Sequence, residues 1–132
     1  MTTAVTADLS GSPRIVDADT IWISDTKIRL HGIDAPDTCQ ECTGQDGEAY
    51  RCGEAATDAL RTLIVSQPLR CEGDTYDRYK RLIATCYSGG IDLNAKLVRL
   101  GWTLAYQKYS KDYVSAEVEA QEAKHGMWGW KV

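Results

Sequence analysis

A chain of 132 residues with 43% hydrophobic and 26% charged residues has the make-up of one globular domain built on one core. Its formal net charge of -4 argues against a protein that lives by non-selective, high-affinity binding of nucleic acid, which normally carries a basic footprint. It does not exclude an enzyme that touches a phosphate briefly beside a cation. No apolar run reaches the roughly 18 residues of a membrane span, and no membrane association is expected.

Residues 1–13 are small and polar and are expected to form a flexible leader ahead of a single domain over residues 14–132. From Arg14 the chain turns strand-like, with Ile15-Val16 and then Thr20-Ile21-Trp22-Ile23. Asp17-Ala18-Asp19 interrupts this run. Two carboxylates so close together among apolar residues are unfavourable unless something pairs them; the plain alternative is a surface turn or bulge. Ser24-Asp25-Thr26 reads as a turn, and residues 27–33 return as the partner strand, bringing Asp19 and the segment 29–37 towards the same end. That segment, Arg29-Leu30-His31-Gly32-Ile33-Asp34-Ala35-Pro36-Asp37, breaks at Gly32 and stops at Pro36. A guanidinium suits a phosphate through its planar fork of donors. Two aspartates suit a hard cation, or one cation ligand and one general base.

Residues 38–53 read as a polar loop bearing Cys39, Cys42 and Cys52. Cys39 and Cys42 form a CxxC, but no second CxxC or spaced histidine pair completes a zinc site, and a Cys42–Cys52 bridge that staples the loop is favoured. Such a bridge stabilises by about 3 kcal/mol in the chain-entropy account. Five cysteines in so short a chain lean towards an oxidising compartment. Met1-Thr2-Thr3-Ala4-Val5-Thr6 has neither the basic nor the apolar region of a secretory signal. The expectation is a periplasmic or secreted chain whose signal has been removed, rather than a cytoplasmic one with free thiols.

A helix is expected over residues 54–66, with Ala56, Ala59, Leu60, Leu63 and Ile64 on one stripe and Pro68 beyond it. Residues 69–72 and 82–87 read as a strand pair in which Cys71 and Cys86 can bridge if they face each other. The connection between them crowds Asp77, Arg78, Lys80 and Arg81 with Tyr76 and Tyr79, a pattern of solvated turns and also of sites for a phosphate and a stacked base. Asp92 is the expected N-cap of a second helix with Leu93, Leu97 and Leu100 on its face and Gly101 after it. Residues 102–109 read as irregular and aromatic. Ser110 is the expected cap of a third helix, with Tyr113, Ala116, Ala120 and Ala123 as a narrow stripe, ending at Gly126, after which Met127-Trp128 folds back on the core. His31 reads as a strand surface residue without an evident partner, and His125 as favourable charge at a helix end.

Taken together, Asp17-Ala18-Asp19-Thr20, Arg29 to Pro36, Asp77-Arg78-Tyr79-Lys80-Arg81, Asp92-Leu93-Asn94 and Gly101-Trp102 resemble, in order and spacing, the thermonuclease or staphylococcal-nuclease-like family over residues 14–129. Cys42, Cys52, Cys71 and Cys86 look like those of its bacterial exported members. The resemblance implies an α+β fold, a five-stranded OB-like β-barrel packed with three α-helices. It implies a calcium-dependent phosphodiesterase that cuts DNA and RNA, as endonuclease or exonuclease, at the 5′ P–O bond to leave 3′-phosphate ends. Nucleic acid is then the partner, and the chain is expected to be a monomer. Asp19 and Asp34 look like the calcium carboxylates and the Ala35 carbonyl like a further ligand. Arg29 and Arg81 look like the phosphate-binding pair, and Asp37 like the acid that positions or activates water. Tyr79, with Tyr106 or Tyr109, falls near positions that contact the nucleotide.

Three residues depart from the family pattern. Asp37 stands where Glu is usual, which retracts the carboxylate by about 1.5 Å, one C–C bond. Ala18 replaces a glycine, harmless unless φ is positive there. Lys80 replaces another glycine just before Arg81, where it either disturbs that arginine's aim or adds a phosphate contact. The competing reading is therefore an OB-like nucleic-acid or nucleotide-binding module with weak or lost catalysis; a third is a structural role in the envelope, resting on the cysteines.

Overall fold

The computed structural model describes residues 7–64, 68–106 and 110–129. Strands β1 (Ala7–Gly11), β2 (Pro13–Asp17), β3 (Thr20–Ile23) and β4 (Thr26–Leu30) follow one another, then the short β5 (Ile33–Asp34), β6 (Cys42–Thr43) and β7 (Ala49–Tyr50). Helix α1 (Cys52–Leu63) precedes the long strands β8 (Leu69–Tyr76) and β9 (Leu82–Ser88) and the short β10 (Ile91–Asp92). The chain ends with α2 (Leu93–Arg99), β11 (Leu104–Ala105), α3 (Val114–Ala123) and a single 3-10 turn, Gly126–Gly129.

The main sheet has seven strands in the order β1-β8-β9-β4-β3-β2, with β10 also on β9. Only β4 and β9 pair in parallel within it. The strands β1 and β2 lie on opposite edges of that order, yet Ser12 alone separates them in sequence. One residue spans about 3.8 Å, so the sheet has to curl until its edges meet. The result is a mixed α+β fold: a curled sheet closed over by three helices. Inner faces supply Ile21, Ile23, Ile28, Leu30, Leu82 and Ala84, and the helices supply Ala56, Leu60, Leu93, Leu97, Ala116 and Ala120. Strand β9 alternates buried and part-buried residues along its length, as a half-covered strand should.

Several expectations are corrected. Residues 7–11 of the leader expected over residues 1–13 are a strand instead, in a full ladder with β8 from Ala7↔Gly73 to Gly11↔Leu69; residues 1–6 lie outside the described residues. Small polar side chains hide such a strand, since the pairing is made by backbone groups; Leu9 anchors it to the core. Residues 102–109 are not wholly irregular: Leu104 and Ala105 pair with Asp34 and Ile33. Helix α1 begins at Cys52, and residues 65–66 of the expected helix lie outside the described residues. Ser110 caps a turn through the Asp112 N–H rather than the helix itself, whose N-cap is Tyr113. Helix α3 stops at Lys124 in the left-handed region rather than at Gly126, and Ala123 faces solvent.

The expected cap of α2 is present: the Asp92 carboxylate accepts from the Ala95 N–H at 3.0 Å. Cys71 and Cys86 are direct cross-strand partners joined by a disulfide, and Cys42–Cys52 ties β6 to the first turn of α1. Cys39 is free and exposed.

Buried Asn94 fixes α2 to the sheet. Its Oδ1 accepts from the Cys86 N–H at 3.2 Å, and its Nδ2 donates to the His31 and Ala84 carbonyls at 3.0 and 3.1 Å. Replacement by leucine keeps the volume and strands those groups, so Asn94→Leu should lose about 3 kcal/mol in urea unfolding. A loss below about 1 kcal/mol would show that the network is dispensable.

Candidate active site

The hairpin between β2 and β3 turns through Ala18-Asp19, and its register shifts between Ile15 and Asp17. A bulge of this kind re-aims side chains, and here both aspartates point at one loop. Asp19, 7% exposed, accepts the Ala35 N–H through Oδ2 at 2.9 Å. Asp17 Oδ1 accepts the Thr38 N–H at 2.7 Å and the Thr38 hydroxyl at 2.9 Å. The same hydroxyl lies 3.1 Å from that of Thr57 on α1. The pairing that two close carboxylates demand is thus supplied by backbone donors of residues 35–38. Ala18 is outside the left-handed region, so its Cβ introduces no strain.

Arg29 reaches into this cluster from β4. Its Nη1 lies 3.4 Å from Asp19 Oδ2 and donates to the Leu30 carbonyl, while its Nη2 lies 3.7 Å from Asp34 Oδ1. One guanidinium therefore faces two carboxylates. Partial burial pushes the Asp34 carboxyl above its ordinary value, and the Asp19 and Asp37 charges add to this against the pull of Arg29. The negative charge is in excess. Among the described residues no group of three or more His, Cys, Asp or Glu side chains could by itself hold a metal. A cation there would take the Asp19 and Asp34 carboxylates with the Ala35 carbonyl, and complete its shell with water or phosphate oxygens. An all-oxygen donor set with surplus negative charge fits a hard divalent cation.

Asp37 is exposed at the start of the stapled loop. Its N–H donates to Gln40 Oε1 at 3.2 Å and its carbonyl accepts the Gln40 N–H at 2.8 Å. Helix α1 presses on the same carbonyl: a Cβ at Gly53 would fall 1.7 Å from it. The backbone that carries the short acid is held by the loop and its disulfide.

Arg81 is aimed by the turn before it. The Lys80 N–H donates to the Asp77 carbonyl at 3.0 Å, and Lys80 adopts φ +66°. This is a tight turn closed by a left-handed residue, the position that glycine suits. Asp77 Oδ1 accepts the Tyr79 and Arg81 N–H groups, both at 2.9 Å, and Oδ2 accepts Arg81 Nε at 2.7 Å. Burial works to raise the Asp77 carboxyl, but these donors and the Arg81 charge outweigh it and hold the group below its ordinary 3.8. The left-handed lysine leaves the arginine's anchor intact. Tyr79 is approached by two cations, with the Arg78 and Arg81 guanidinium carbons 5.0 and 5.4 Å from its ring centroid.

Arg29, Tyr79, Arg81 and Tyr106 line one cleft of about 730 Å³, together with His31, Asp77 and Arg78. Tyr106 arrives there because its N–H donates to the Gly32 carbonyl at 2.8 Å. Lys80, Asp19, Asp34, Ala35 and Asp37 are not among the cleft's lining residues; the acid cluster meets the cleft through Arg29. Tyr109 lies outside the described residues. His31 is not the partnerless surface residue expected: its Nε2 lies 3.1 Å from Asp112 Oδ2. The hydrogen bond to His31, with one from Ser110, draws the Asp112 carboxyl below its ordinary range. Gly32 beside it has φ +74°, and a Cβ there would fall 2.7 Å from the Tyr113 ring. Sequence reasoning missed Asp17 and Thr38 as the loop's clamp and Asp77 as the support of Arg81. The close spacing of Asp17 and Asp19 was the available signal for the first; an aspartate four residues before Arg81 was the signal for the second.

A curled sheet closed over by three helices, with Arg29 on a strand and Arg81 in a turn lining one cleft beside an acidic cluster, defines a class of mixed α+β domain. A family profile described as staphylococcal nuclease homologue matches residues 27–130, and the chain belongs to that family, whose domain is an OB-fold. Among its relatives, the succinoglycan biosynthesis protein ExoI of Rhizobium meliloti is 35% identical over 121 residues, covering 89% of this chain and 63% of that protein. An uncharacterized endonuclease of Escherichia coli O157:H7 is 31% identical over 130 residues, covering 92% and 78% of the two chains. An uncharacterized endonuclease of Haemophilus influenzae is 30% identical over 122 residues, covering 87% and 63%. The chain therefore spans under two thirds of two of these three proteins.

A carboxylate held below its unfolded value stabilises the fold above that value, and the contribution disappears as pH falls through the folded one. Asp77→Asn should lose about 2 kcal/mol at pH 7 and show a flatter decline in stability below pH about 4. Unchanged acid unfolding of the variant would refute this role. At the neighbouring position, Lys80→Gly should be more stable than Lys80→Ala by about 1 kcal/mol, because only glycine relaxes at positive φ. Equal stabilities of the two variants would contradict a strained turn.

Proposed function

We propose that the chain is a calcium-dependent phosphodiesterase that hydrolyses DNA and RNA at the 5′ P–O bond and leaves 3′-phosphate ends. Its named relatives from Escherichia coli and Haemophilus influenzae are called endonucleases, which supports nuclease-type activity on a nucleic-acid substrate. The observation that carries the reading is Arg29, which lines the cleft shared with Arg81 while facing the Asp19 and Asp34 carboxylates. In this reading calcium, held by Asp19, Asp34 and the Ala35 carbonyl, supplies polarisation of a phosphoryl oxygen. Arg29 and Arg81 bind the phosphate and offset the charge that builds on its equatorial oxygens. Asp37 holds or deprotonates the attacking water, and Tyr79 and Tyr106 flank the nucleotide.

The Asp17 and Asp19 bonds to Ala35 and Thr38 support this assignment, because they brace the loop that carries the shortened acid. A misplacement of roughly 1 Å can lower a rate on the order of 100-fold, so such bracing matters to Asp37. Residues 7–17, taken as one strand bent at Ser12, make with β3, β4, β8 and β9 the five strands of an OB-like barrel. The two disulfides support a periplasmic or secreted location. The domain is taken to act as a monomer.

The reading is tested by cleavage of single-stranded and duplex DNA and of RNA, with calcium and with chelator. Cleavage should require calcium and fall by about 100-fold or more in Arg81→Ala and in Asp37→Ala. A folded protein that binds the oligonucleotide but cuts with no divalent ion would overturn it. That result would leave the binding module, the alternative favoured by the exposed, shortened acid at position 37.

A further inference from the structure

The described arginines divide into two groups. Arg29, Arg51, Arg61, Arg70, Arg81 and Arg99 each face a carboxylate. Arg14 and Arg78 face aromatic rings instead, and make no ion pair with a carboxylate among the described residues. Arg78 lies in the cleft. Arg14 lies on β2, its guanidinium carbon 5.4 Å from the centroid of the Trp22 ring, and Lys27 Nζ on β4 lies 5.8 Å from the same centroid. Lys27 likewise has no carboxylate partner among the described residues.

These three residues form one row across adjacent antiparallel strands, with Arg14 opposite Trp22 and Trp22 opposite Lys27. Their place relative to the cleft follows from register. The cleft rests on Thr75, Ile83 and Arg29, which are successive partners on β8, β9 and β4, and Thr20 on β3 is opposite Arg29. Lys27 and Arg29 are two residues apart on β4, so they share a face, about 6.8 Å apart along the strand. The face that carries the cleft therefore continues as Lys27, Trp22 and Arg14 to the β2 edge.

Two cations drawn onto one ring, in a chain of net charge -4, concentrate positive charge where no carboxylate among the described residues pairs with either of them. We infer that Arg14, Trp22 and Lys27 form an extended subsite for a single-stranded polynucleotide, holding backbone phosphates that flank the one in the cleft. Trp22 keeps the two side chains extended beside each other by cation–π attraction, and their charges stay available to phosphate oxygens. The subsite gives the domain a preference for strands over short fragments. This inference rests on the nucleic-acid reading of the neighbouring cleft.

The test compares the wild-type chain with Arg14→Gln/Lys27→Gln, two changes that remove the charges, keep a polar side chain and leave the arginine pair and acid cluster untouched. Binding of a single-stranded oligonucleotide of about 12 nucleotides is followed by fluorescence anisotropy in chelator over a range of salt, where no cleavage intervenes. The slope of log affinity against log salt should fall by about 1.4, because each lost phosphate contact on a single strand removes about 0.7. With calcium, KM for the same oligonucleotide should rise about tenfold while turnover of a thymidine dinucleotide, which reaches only the cleft, stays unchanged. Equal salt slopes in the two proteins, or no binding by the wild type, would overturn the subsite. A wild type that binds and never cleaves would defeat the nuclease reading alone, and the difference in slopes would still decide the subsite.

Discussion

The structure turns on two carboxylates, Asp17 and Asp19, that accept backbone N–H groups from the loop they face. Each bond is an ordinary charge-assisted contact, worth about 1.5–3 kcal/mol. Together they hold residues 35–38 against the β2–β3 turn and so decide where Asp34 and Asp37 stand. The bulge at Val16 shifts the pairing so that Asp17 stands opposite Thr20, and from there its carboxylate meets the Thr38 N–H while Asp19 meets that of Ala35. With the loop held, Arg29 from β4 meets Asp19 and Asp34 at once. A surplus of negative charge then gathers around that one guanidinium.

A second constraint organises the other wall. The sheet has one parallel contact, β4 with β9, and beyond its end the strands part. The backbone groups left there are satisfied by buried Asn94 and by the His31 N–H, which donates to the Ala84 carbonyl at 2.8 Å. The opening this creates is continuous with the cleft that Arg29, His31 and Ile83 line. Arg81 enters it one residue before β9 begins, anchored by Asp77 through three hydrogen bonds to the carboxylate's neighbours in the turn. The two arginines of the cleft are thus presented by a strand and a self-capped turn, which restricts their geometry more than a free loop would.

Much of this was legible in residue order. The paired aspartates, the arginine and acids of residues 29–37, the charged turn before Arg81 and the Asp92 cap all stand in the chain as patterns with a physical meaning. Both disulfides join pairs that the sequence favoured, Cys71–Cys86 on the condition, met in the strand register, that the two side chains face each other. What stayed hidden was of two kinds. The strand Ala7–Gly11 is made by backbone pairing and leaves little trace in side-chain type. Contacts such as His31 with Asp112 and Thr38 with Asp17 join residues far apart in sequence, and no local periodicity encodes them.

The sequence by itself determined the secondary elements with strong periodicity or caps and the chemical types gathered in residues 17–37 and 77–81, because each depends on neighbours within a few residues. Tertiary structure alone decided that Asp17 braces a loop rather than joining the acid cluster, that Arg29 is shared between two carboxylates, and that Arg14 and Lys27 meet over Trp22. Those outcomes depend on strand register and on the curl enforced by the one-residue link between β1 and β2. Register is a property of pairing between distant segments, and a shift of one residue would turn every one of these side chains to the other face.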